Sequence, residues 1–249
     1  MTAEVQKLAA LLKESGRIVF FGGAGVSTES GIPDFRSANG LWNEKLQMEL
    51  SPEQLVSHTY FERFPQEFFD FYRAKLVYPE AKPNGCHRAL ARLEAAGKLS
   101  AVVTQNIDGL HQMAGSKTVY ELHGSVLRNY CMDCHAPYDV NYILDTAPEP
   151  PRCEKCGGLV KPDVVLYEES LDGDVIAASV EEIGRADMLI IGGTSLVVYP
   201  AAGFIRYFKG KHLVVINMTE TRADGSAELV IREPIGEVME AAVKEAGIG

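Results

Sequence analysis

The 249 residues are 46 % hydrophobic and 23 % charged, which are ordinary values for a globular protein and exclude a disordered or fibrous chain. A formal net charge of −10 argues against nucleic-acid binding, which requires a basic surface. The sequence contains no apolar run of about 18 residues, so we expect no membrane-spanning helix and no membrane partner.

The first 16 residues predict an amphipathic helix. Val5, Leu8, Leu11 and Leu12 recur at helical spacing among charged side chains. This pattern is not that of a signal peptide, and we expect a cytoplasmic protein.

Short apolar segments alternate with helical patterns along the rest of the chain. The predicted strands are residues 17–21, 100–104, 188–191 and 212–216, and helical patterns cover residues 87–96 and 174–185. Apolar, β-branched strands are typical of sheets that are covered on both faces. The expected fold is therefore α/β, with a Rossmann-like, doubly wound parallel sheet.

Two stretches interrupt this alternation. Residues 38–82 are rich in Phe, Tyr and Pro and predict a helical insertion, whereas residues 127–161 hold four paired cysteines. We interpret the two stretches together as a second, smaller zinc-binding domain. The remaining residues, 1–37, 83–126 and 162–249, form the predicted Rossmann-like domain.

A glycine-rich motif follows the first predicted strand. Residues 22–28 read Gly-Gly-Ala-Gly-Val-Ser-Thr, and glycines at a strand end let backbone N–H groups approach a phosphate. A helix N-terminus after the motif would add a favourable field. The full dinucleotide fingerprint is incomplete, because Thr28 stands in place of the third glycine and no acidic strand end follows about 20 residues later. A glycine turn required only for packing is the alternative.

Residues 31–36 read Gly-Ile-Pro-Asp-Phe-Arg and place an acid, an aromatic ring and a guanidinium just after the glycine motif. Arg36 could bind a phosphate, and Phe35 could shield a reactive centre from water. The alternative is a turn with an ordinary salt bridge.

Polar residues follow two further predicted strands. Gln105, Asn106 and Asp108 come after residues 100–104, where an open α/β sheet binds its ligands, and they could bond an amide and ribose hydroxyls. His111 is interpreted as structural. His123 precedes Gly124 after a short extended run and is a candidate general base, although a lone histidine is more often a packed or capping residue.

The cysteines give the most specific signal. Two C-x-x-C pairs are separated by 18 residues, a spacing that indicates a zinc ribbon with four thiolate ligands. Four sulfur ligands leave no open position, so the predicted zinc is structural; an iron–sulfur site or redox pairs are the alternatives. The ligands are Cys131, Cys134, Cys153 and Cys156.

The last two candidates follow the third and fourth predicted strands. Residues 192–196 read Gly-Gly-Thr-Ser-Leu and offer backbone and hydroxyl donors. Asn217 ends the fourth strand, where it could meet a ribose.

The motifs, taken in this order, resemble those of the sirtuin family. They lie at residues 23–27, 31–36, 104–111, 123–124 and 193–196, together with the cysteine quartet. The resemblance extends over nearly the whole chain and is to compact, bacterial-type members. It implies a Rossmann-like NAD domain, a small zinc domain, and an acyl-lysine peptide that enters the cleft between them as an extended strand.

The resemblance also implies roles for individual residues. His123 matches the catalytic base, and Asn106 is expected to take part in catalysis. Gln105, Asn106, Ile107 and Asp108 match residues that hold nicotinamide and its ribose, and Phe35 matches the aromatic guard of that pocket. The other cofactor contacts implied are Ala24, Thr28, Arg36, Thr194, Ser195, Asn217 and Ile235.

The implied activity is that of an NAD-dependent protein-lysine deacylase, which consumes NAD and yields free lysine, nicotinamide and O-acyl-ADP-ribose. Protein mono-ADP-ribosyltransfer at the same NAD site is one alternative. A non-catalytic, NAD-sensing zinc-ribbon module is another, although a pure sensor has no need of His123 as a base.

Two departures from the family pattern concern the substrate. Glu168 stands where the family's peptide-binding stretch often has glycine. Tyr72 and Lys75 are the nearest match to the Tyr-x-x-Arg pair of relatives that prefer acidic acyl groups, with lysine in place of arginine. We therefore expect acetyl as the preferred acyl group, with other uncharged acyl chains next.

Overall fold

The computed structural model describes residues 2–34 and 50–248, and nine strands lie within these ranges. In chain order they are β1 Ile18–Gly22, β2 Leu99–Thr104, β3 Val119–Glu121, β4 Gly124–Cys131, β5 Pro137–Tyr138, β6 Val160–Val164, β7 Met188–Gly192, β8 His212–Ile216 and β9 Leu229–Ile231. The four predicted strands are β1, β2, β7 and β8.

Six of the strands form one parallel sheet with the order β3-β2-β1-β7-β8-β9. Every residue of β1 and β7 is buried, as expected for central strands that are covered on both faces. The strand order reverses direction between β1 and β7. This is the Rossmann arrangement, in which ligands bind beyond the carboxyl ends of the strands at the point of reversal.

The α-helices in the described ranges are α1 Ala3–Glu14, α2 Pro52–Leu55, α3 His58–Arg63, α4 Pro65–Lys75, α5 Gly85–Ala95, α6 Leu110–Met113, α7 Val140–Asp145, α8 Gly173–Arg185 and α9 Ile235–Glu245. The predicted N-terminal helix, now α1, is confirmed, and it buries Val5, Leu8, Leu11 and Leu12. None of the helices in the described part of the chain combines the length and apolarity that a membrane span requires.

The two faces of the large sheet carry separate hydrophobic cores. Phe20 of β1 packs with residues of α1, α5 and α9, whereas the next residue, Phe21, packs on the opposite face with residues of α8. This alternation follows from the two-residue period of a strand. Helices on both faces complete the doubly wound fold that the sequence predicted.

A smaller unit has its own sheet and core. Strands β5, β4 and β6 form an antiparallel sheet, and aromatic residues of α3 and α4 pack against it and α7. Phe68 and Phe69 meet edge to face with ring centroids 5.3 Å apart. The helical insertion and the cysteine-bearing stretch therefore share one core. The exact division into domains remains a prediction, and β4 and β6 reach to residues 124 and 164, beyond the stretch 127–161.

One local expectation was wrong. The glycine motif is followed by two 3-10 turns, Ala24–Val26 and Thr28–Ser30, and not directly by an α-helix N-terminus. Gly31 ends the second turn in the left-handed conformation with φ 83°, and Pro33 follows two residues later. A left-handed residue ends a helical segment, so an α-helix cannot propagate through this position.

Candidate active site

Two glycine turns meet at the point where the sheet order reverses. The backbone N–H of Gly25 donates to the carbonyl of Gly193 at 2.8 Å. A Cβ atom on Gly25 would lie 2.8 Å from the Cα of Gly193, and a Cβ atom on Gly193 would lie 2.3 Å from the nitrogen of Val26. Side chains are therefore excluded where these turns touch. Close packing of the two turns is therefore one requirement that these glycines meet.

Ser27 connects the first glycine turn to the polar residues after β2. Its hydroxyl donates to Asp108 Oδ2 at 2.6 Å and accepts from Asn106 Nδ2 at 3.1 Å. Burial raises the pKa of Asp108, while the bonds from Ser27 and from the Leu110 backbone N–H act in the opposite direction. Ser27 is not among the site residues predicted from the sequence. Its only local signal is its position within the glycine motif.

Gln105 joins both glycine turns. Its backbone N–H donates to the carbonyl of Gly22 at 3.0 Å, and its side-chain Nε2 donates to Thr194 Oγ1 at 3.1 Å. The ends of β1, β2 and β7 are thus held together by hydrogen bonds.

His123 lies beside Gln105, between the two sheets. Its Nδ1 is 2.9 Å from the carbonyl oxygen of Gln105. Because a carbonyl only accepts hydrogen bonds, Nδ1 carries the proton and Nε2 of the neutral ring keeps a free lone pair. Burial lowers the pKa of His123, and the bond to Gln105 partly offsets this effect. The geometry therefore provides a neutral imidazole with an unprotonated Nε2.

Gly124 allows the chain to turn directly after His123. Its φ is 75°, and a Cβ atom there would lie 1.9 Å from the carbonyl oxygen of Asp163 in β6. Only glycine fits this contact. The His-Gly pair therefore marks the point at which the chain passes from β3 of the large sheet to β4 of the small one.

The segment of residues 165–169 borders His123. The N–H of Val165 donates to the carbonyl of His123 at 3.0 Å, and Tyr167 pairs with the chain beside α3. Glu168 has a φ of 77°, which glycine adopts more readily than other residues. Its carboxylate accepts from the Thr59 N–H at 2.9 Å and the Thr59 hydroxyl at 2.7 Å. The positive φ explains why the family often has glycine at this position. In this chain Glu168 adopts the same backbone conformation, and its side chain is held by hydrogen bonds to Thr59 of α3.

The structure places most of the other predicted cofactor contacts at the same edge. Ala24 and Thr28 lie on the 3-10 turns, and Ser195 follows Thr194. Ile107 accepts the Val126 N–H through its carbonyl, at the border with the small sheet.

Asn217 and Ile235 lie farther along the same edge. Asn217 follows β8, and its Nδ2 donates to the carbonyl of Thr219 at 2.9 Å. Ile235 opens α9 and is buried, with its side chain close to Gly192. Phe35 and Arg36 lie outside the described residues.

His111 is buried below this edge. Its ring contacts that of His87 at an interplanar angle of 56°, with centroids 4.7 Å apart, and burial lowers the pKa of His111 well below the usual value. This position fits the structural interpretation of His111.

Tyr72 lies in the core of the small unit. It is buried among Phe68 and Phe69, its hydroxyl has no hydrogen-bond partner among the described residues, and burial raises its pKa. Lys75 is the last residue of the same helix, α4.

The four paired cysteines converge at one end of the small sheet. Their Sγ atoms all lie within 4.8 Å of one another, with Cys131 and Cys156 at 3.4 Å and Cys134 and Cys153 at 3.5 Å. Tetrahedral zinc with bonds of about 2.3 Å would hold its sulfurs about 3.8 Å apart. None of these cysteines forms a disulfide, so the donor set fits one zinc ion.

The two cysteine pairs are built alike. The N–H of His135 donates to the carbonyl of Cys131, and the N–H of Gly157 donates to the carbonyl of Cys153. Both donors have positive φ, 57° and 80° respectively. Each C-x-x-C pair is therefore followed by a left-handed residue, which closes a turn with both thiolates of the pair on the same side.

Residues 23–200 match the family model described as the Sir2 family. The chain is 66 % identical over 240 residues to the NAD-dependent protein deacetylase of Clostridium perfringens, covering 96 % of this chain and 98 % of the relative. A solved Sir2 structure with a p53 peptide and NAD+ has a TM-score of 0.85 and 38 % identity, with full coverage of both chains. A Sir2 variant with deacetylated p53 peptide and 3'-O-acetyl-ADP-ribose has a TM-score of 0.88 and 38 % identity, covering 99 % of this chain and 100 % of that one.

Proposed function

The chain belongs to the Sir2 family and is an NAD-dependent protein deacetylase, and from this premise we propose which of its residues carry out the reaction. The reaction yields free lysine, nicotinamide and O-acetyl-ADP-ribose. When bound, NAD supplies the ADP-ribosyl group that accepts the acyl group. The chain itself must bind the two substrates, exclude water and move one proton.

His123 is the proposed general base. The single observation that supports this role is its hydrogen bond to the Gln105 carbonyl, which fixes the proton on Nδ1 and leaves Nε2 to accept another. The lowered pKa keeps the ring neutral at physiological pH. Nε2 therefore takes the proton from the hydroxyl that accepts the acyl group.

The polar residues after β2 are proposed to hold the nicotinamide end of NAD. Asn106 is buried and Asp108 is half-buried, and the two are already joined through Ser27, so their orientations are set before any ligand binds. We assign Asn106 to catalysis together with His123, and Gln105, Ile107 and Asp108 to binding.

The glycine turns and the neighbouring strand ends are proposed to hold the rest of NAD. These turns lie at the reversal of the strand order, where dinucleotides bind in this fold. The residues assigned to this part are Ala24, Thr28, Arg36, Thr194, Ser195, Asn217 and Ile235, whereas Phe35 is assigned to guard the nicotinamide pocket.

The protein substrate is an acyl-lysine peptide, which we propose binds as an extended strand between the two units. The segment 165–169, which is hydrogen-bonded to His123 and to the chain at α3, forms one border of this cleft. We propose acetyl as the preferred acyl group. A cytoplasmic location is proposed because the cysteine quartet needs reduced thiols. The net charge of −10 disfavours nucleic acid as a partner.

Zinc has a structural role in this scheme. Four thiolates from Cys131, Cys134, Cys153 and Cys156 complete a tetrahedral shell, which leaves no position for substrate or water. The metal would hold the small sheet in shape, without taking part in acyl transfer.

The test is incubation with NAD and an acetyl-lysine peptide, with nicotinamide release and the products followed by mass spectrometry. His123→Ala should lower turnover by more than about 100-fold, the contribution expected of a general base, while calorimetry shows that NAD still binds. Unchanged turnover in this variant would remove His123 from the mechanism. ADP-ribose attached to protein, without O-acetyl-ADP-ribose, would indicate mono-ADP-ribosyltransfer.

A further inference from the structure

Asn84 connects the glycine turn to α5, the helix that packs beside it. The residue is 8 % exposed. Its Nδ2 donates to the Val26 carbonyl at 2.7 Å and to the Ser30 hydroxyl at 2.9 Å. The turn of residues 24–30 is therefore tied to the start of α5 by two bonds from one side chain.

The orientation of the Asn84 amide is fixed by its other bonds. Oδ1 accepts from the Cys86 N–H at 2.9 Å and caps α5, and the Asn84 N–H donates to His87 Nδ1 at 3.2 Å. Both Nδ2 hydrogens then face acceptors on the turn. Exchanging the amide oxygen and nitrogen would place two oxygens against each other at Val26.

Val26 is followed directly by Ser27, so the carbonyl that Asn84 holds belongs to the same peptide group as the Ser27 N–H. The Ser27 hydroxyl bonds both Asp108 and Asn106. A shift of the 26–27 peptide would therefore move the hydroxyl that orients both residues.

We propose that Asn84 is a positioning residue for NAD binding, acting through the Val26 carbonyl and Ser27. It touches neither substrate. The inference rests on the proposed function, because it takes Asn106 and Asp108 as the residues that hold the nicotinamide end of NAD.

A second side chain, Glu29, also anchors the turn, but it is exposed whereas Asn84 is buried. The Glu29 carboxylate accepts the Gly236 N–H at the start of α9, and the Glu29 side chain is exposed to water. Water can reach this partly buried bond, whereas the bond from Asn84 to Val26 is buried, and a buried donor that loses its partner stays unsatisfied. Asn84 therefore contributes more to the position of the turn than Glu29 does.

The Asn84→Asp variant keeps the N-cap of α5 but loses the hydrogen bond to the Val26 carbonyl. The carboxylate still accepts the Cys86 N–H, and acids are good N-caps. It cannot donate to Val26, however, and it places an oxygen against the carbonyl. Asn84→Ser also caps α5, but its side chain is too short to reach the turn. Asp172→Asn is the matched control, since it makes the reverse exchange at the N-cap of α8.

The experiment measures the NAD Kd by calorimetry without peptide, then KM for NAD and for acetyl-lysine peptide, and the Tm of each variant. We expect Asn84→Asp and Asn84→Ser to raise the NAD Kd about tenfold, as for the loss of a buried hydrogen bond, with peptide KM within about twofold of wild type. Asp172→Asn should leave all these values unchanged.

A folded Asn84→Asp or Asn84→Ser variant that binds NAD like wild type overturns the inference. If neither variant folds, Ser30→Ala decides: a rise of about twofold or more in the NAD Kd supports the role of Asn84, and an unchanged Kd overturns it. Failure of the wild-type protein to bind NAD or release nicotinamide would count against the proposed function itself.

Discussion

His123 and Asp108 show how burial sets the chemistry of single residues at the cleft. Burial lowers the pKa of His123 and raises the pKa of Asp108, so both side chains are shifted toward their neutral forms. The same desolvation strengthens the hydrogen bonds among Ser27, Asn106 and Asp108. The polar side chains at this edge of the sheet are thus partly shielded from water.

The pH dependence of catalysis follows from the lowered pKa of His123. The base acts when it is neutral, so activity should rise as pH increases through this pKa and then level off. We expect the acid limb of kcat/KM to have its midpoint below pH 6.5, the ordinary histidine value. Initial rates at peptide concentrations well below KM, measured from pH 5 to 8, check this. A midpoint at or above pH 7 would contradict the buried position of His123.

At the scale of elements, short loops at strand ends hold the site together. The turn after β1 contacts the turn after β7, the loop after β2 is bonded to both, and the segment after β6 is bonded to His123 and to α3. Each loop is anchored through specific backbone groups. Residues with positive φ occur at several of these anchors, among them Gly193, Gly124 and Glu168.

Glu168 provides a test of backbone strain in the segment 165–169. Glu168→Ala and Glu168→Gly both remove the bonds to Thr59, but only alanine must still adopt a φ of 77° with a Cβ atom. We expect the Tm of the alanine variant to be about 2–4 °C lower than that of the glycine variant. Thermal unfolding by circular dichroism measures the difference. Equal values, or a lower Tm for glycine, would show that the backbone at this position is unstrained.

At the scale of the whole molecule, two units with separate cores meet at His123 and Gly124. The large unit is stabilised by apolar packing on both faces of a six-stranded sheet. The small unit has a three-stranded sheet, a cluster of aromatic residues and the cysteine quartet. Because a small core buries little surface, we expect the small unit to depend on its metal.

Removal of one zinc ligand tests this dependence. Cys153→Ala should lose the metal and unfold the small unit, because the binding energy of structural zinc is folding energy. Zinc content per chain and near-ultraviolet circular dichroism are the measurements. Cys86→Ala is the matched control: Cys86 is buried in the core of the large unit, so this variant should keep one zinc per chain. A zinc-free Cys153→Ala variant that is folded and active would show that the metal is dispensable.

Features that depend on local patterns could be predicted from the amino-acid sequence. Apolar, β-branched runs predicted the strands β1, β2, β7 and β8, and the spacing of four cysteines predicted the zinc site, since both signals lie within short stretches of chain. The short strand β9 was missed, because a few residues carry little periodicity. For the same reason the two 3-10 turns, Ala24–Val26 and Thr28–Ser30, were not distinguished from the helix N-terminus considered after the glycine motif.

Which residues meet at the site could be seen only in the folded chain. Ser27 bonds Asp108 across 81 positions in the chain, Asn84 holds the Val26 carbonyl across 58, and Glu168 bonds Thr59 across 109. Parallel strands bring such residues together because their carboxyl ends lie at one edge of the sheet, whereas their order in the sheet is set by packing on both faces. The order of the strands in the sheet therefore cannot be deduced from the local sequence around two residues that contact each other.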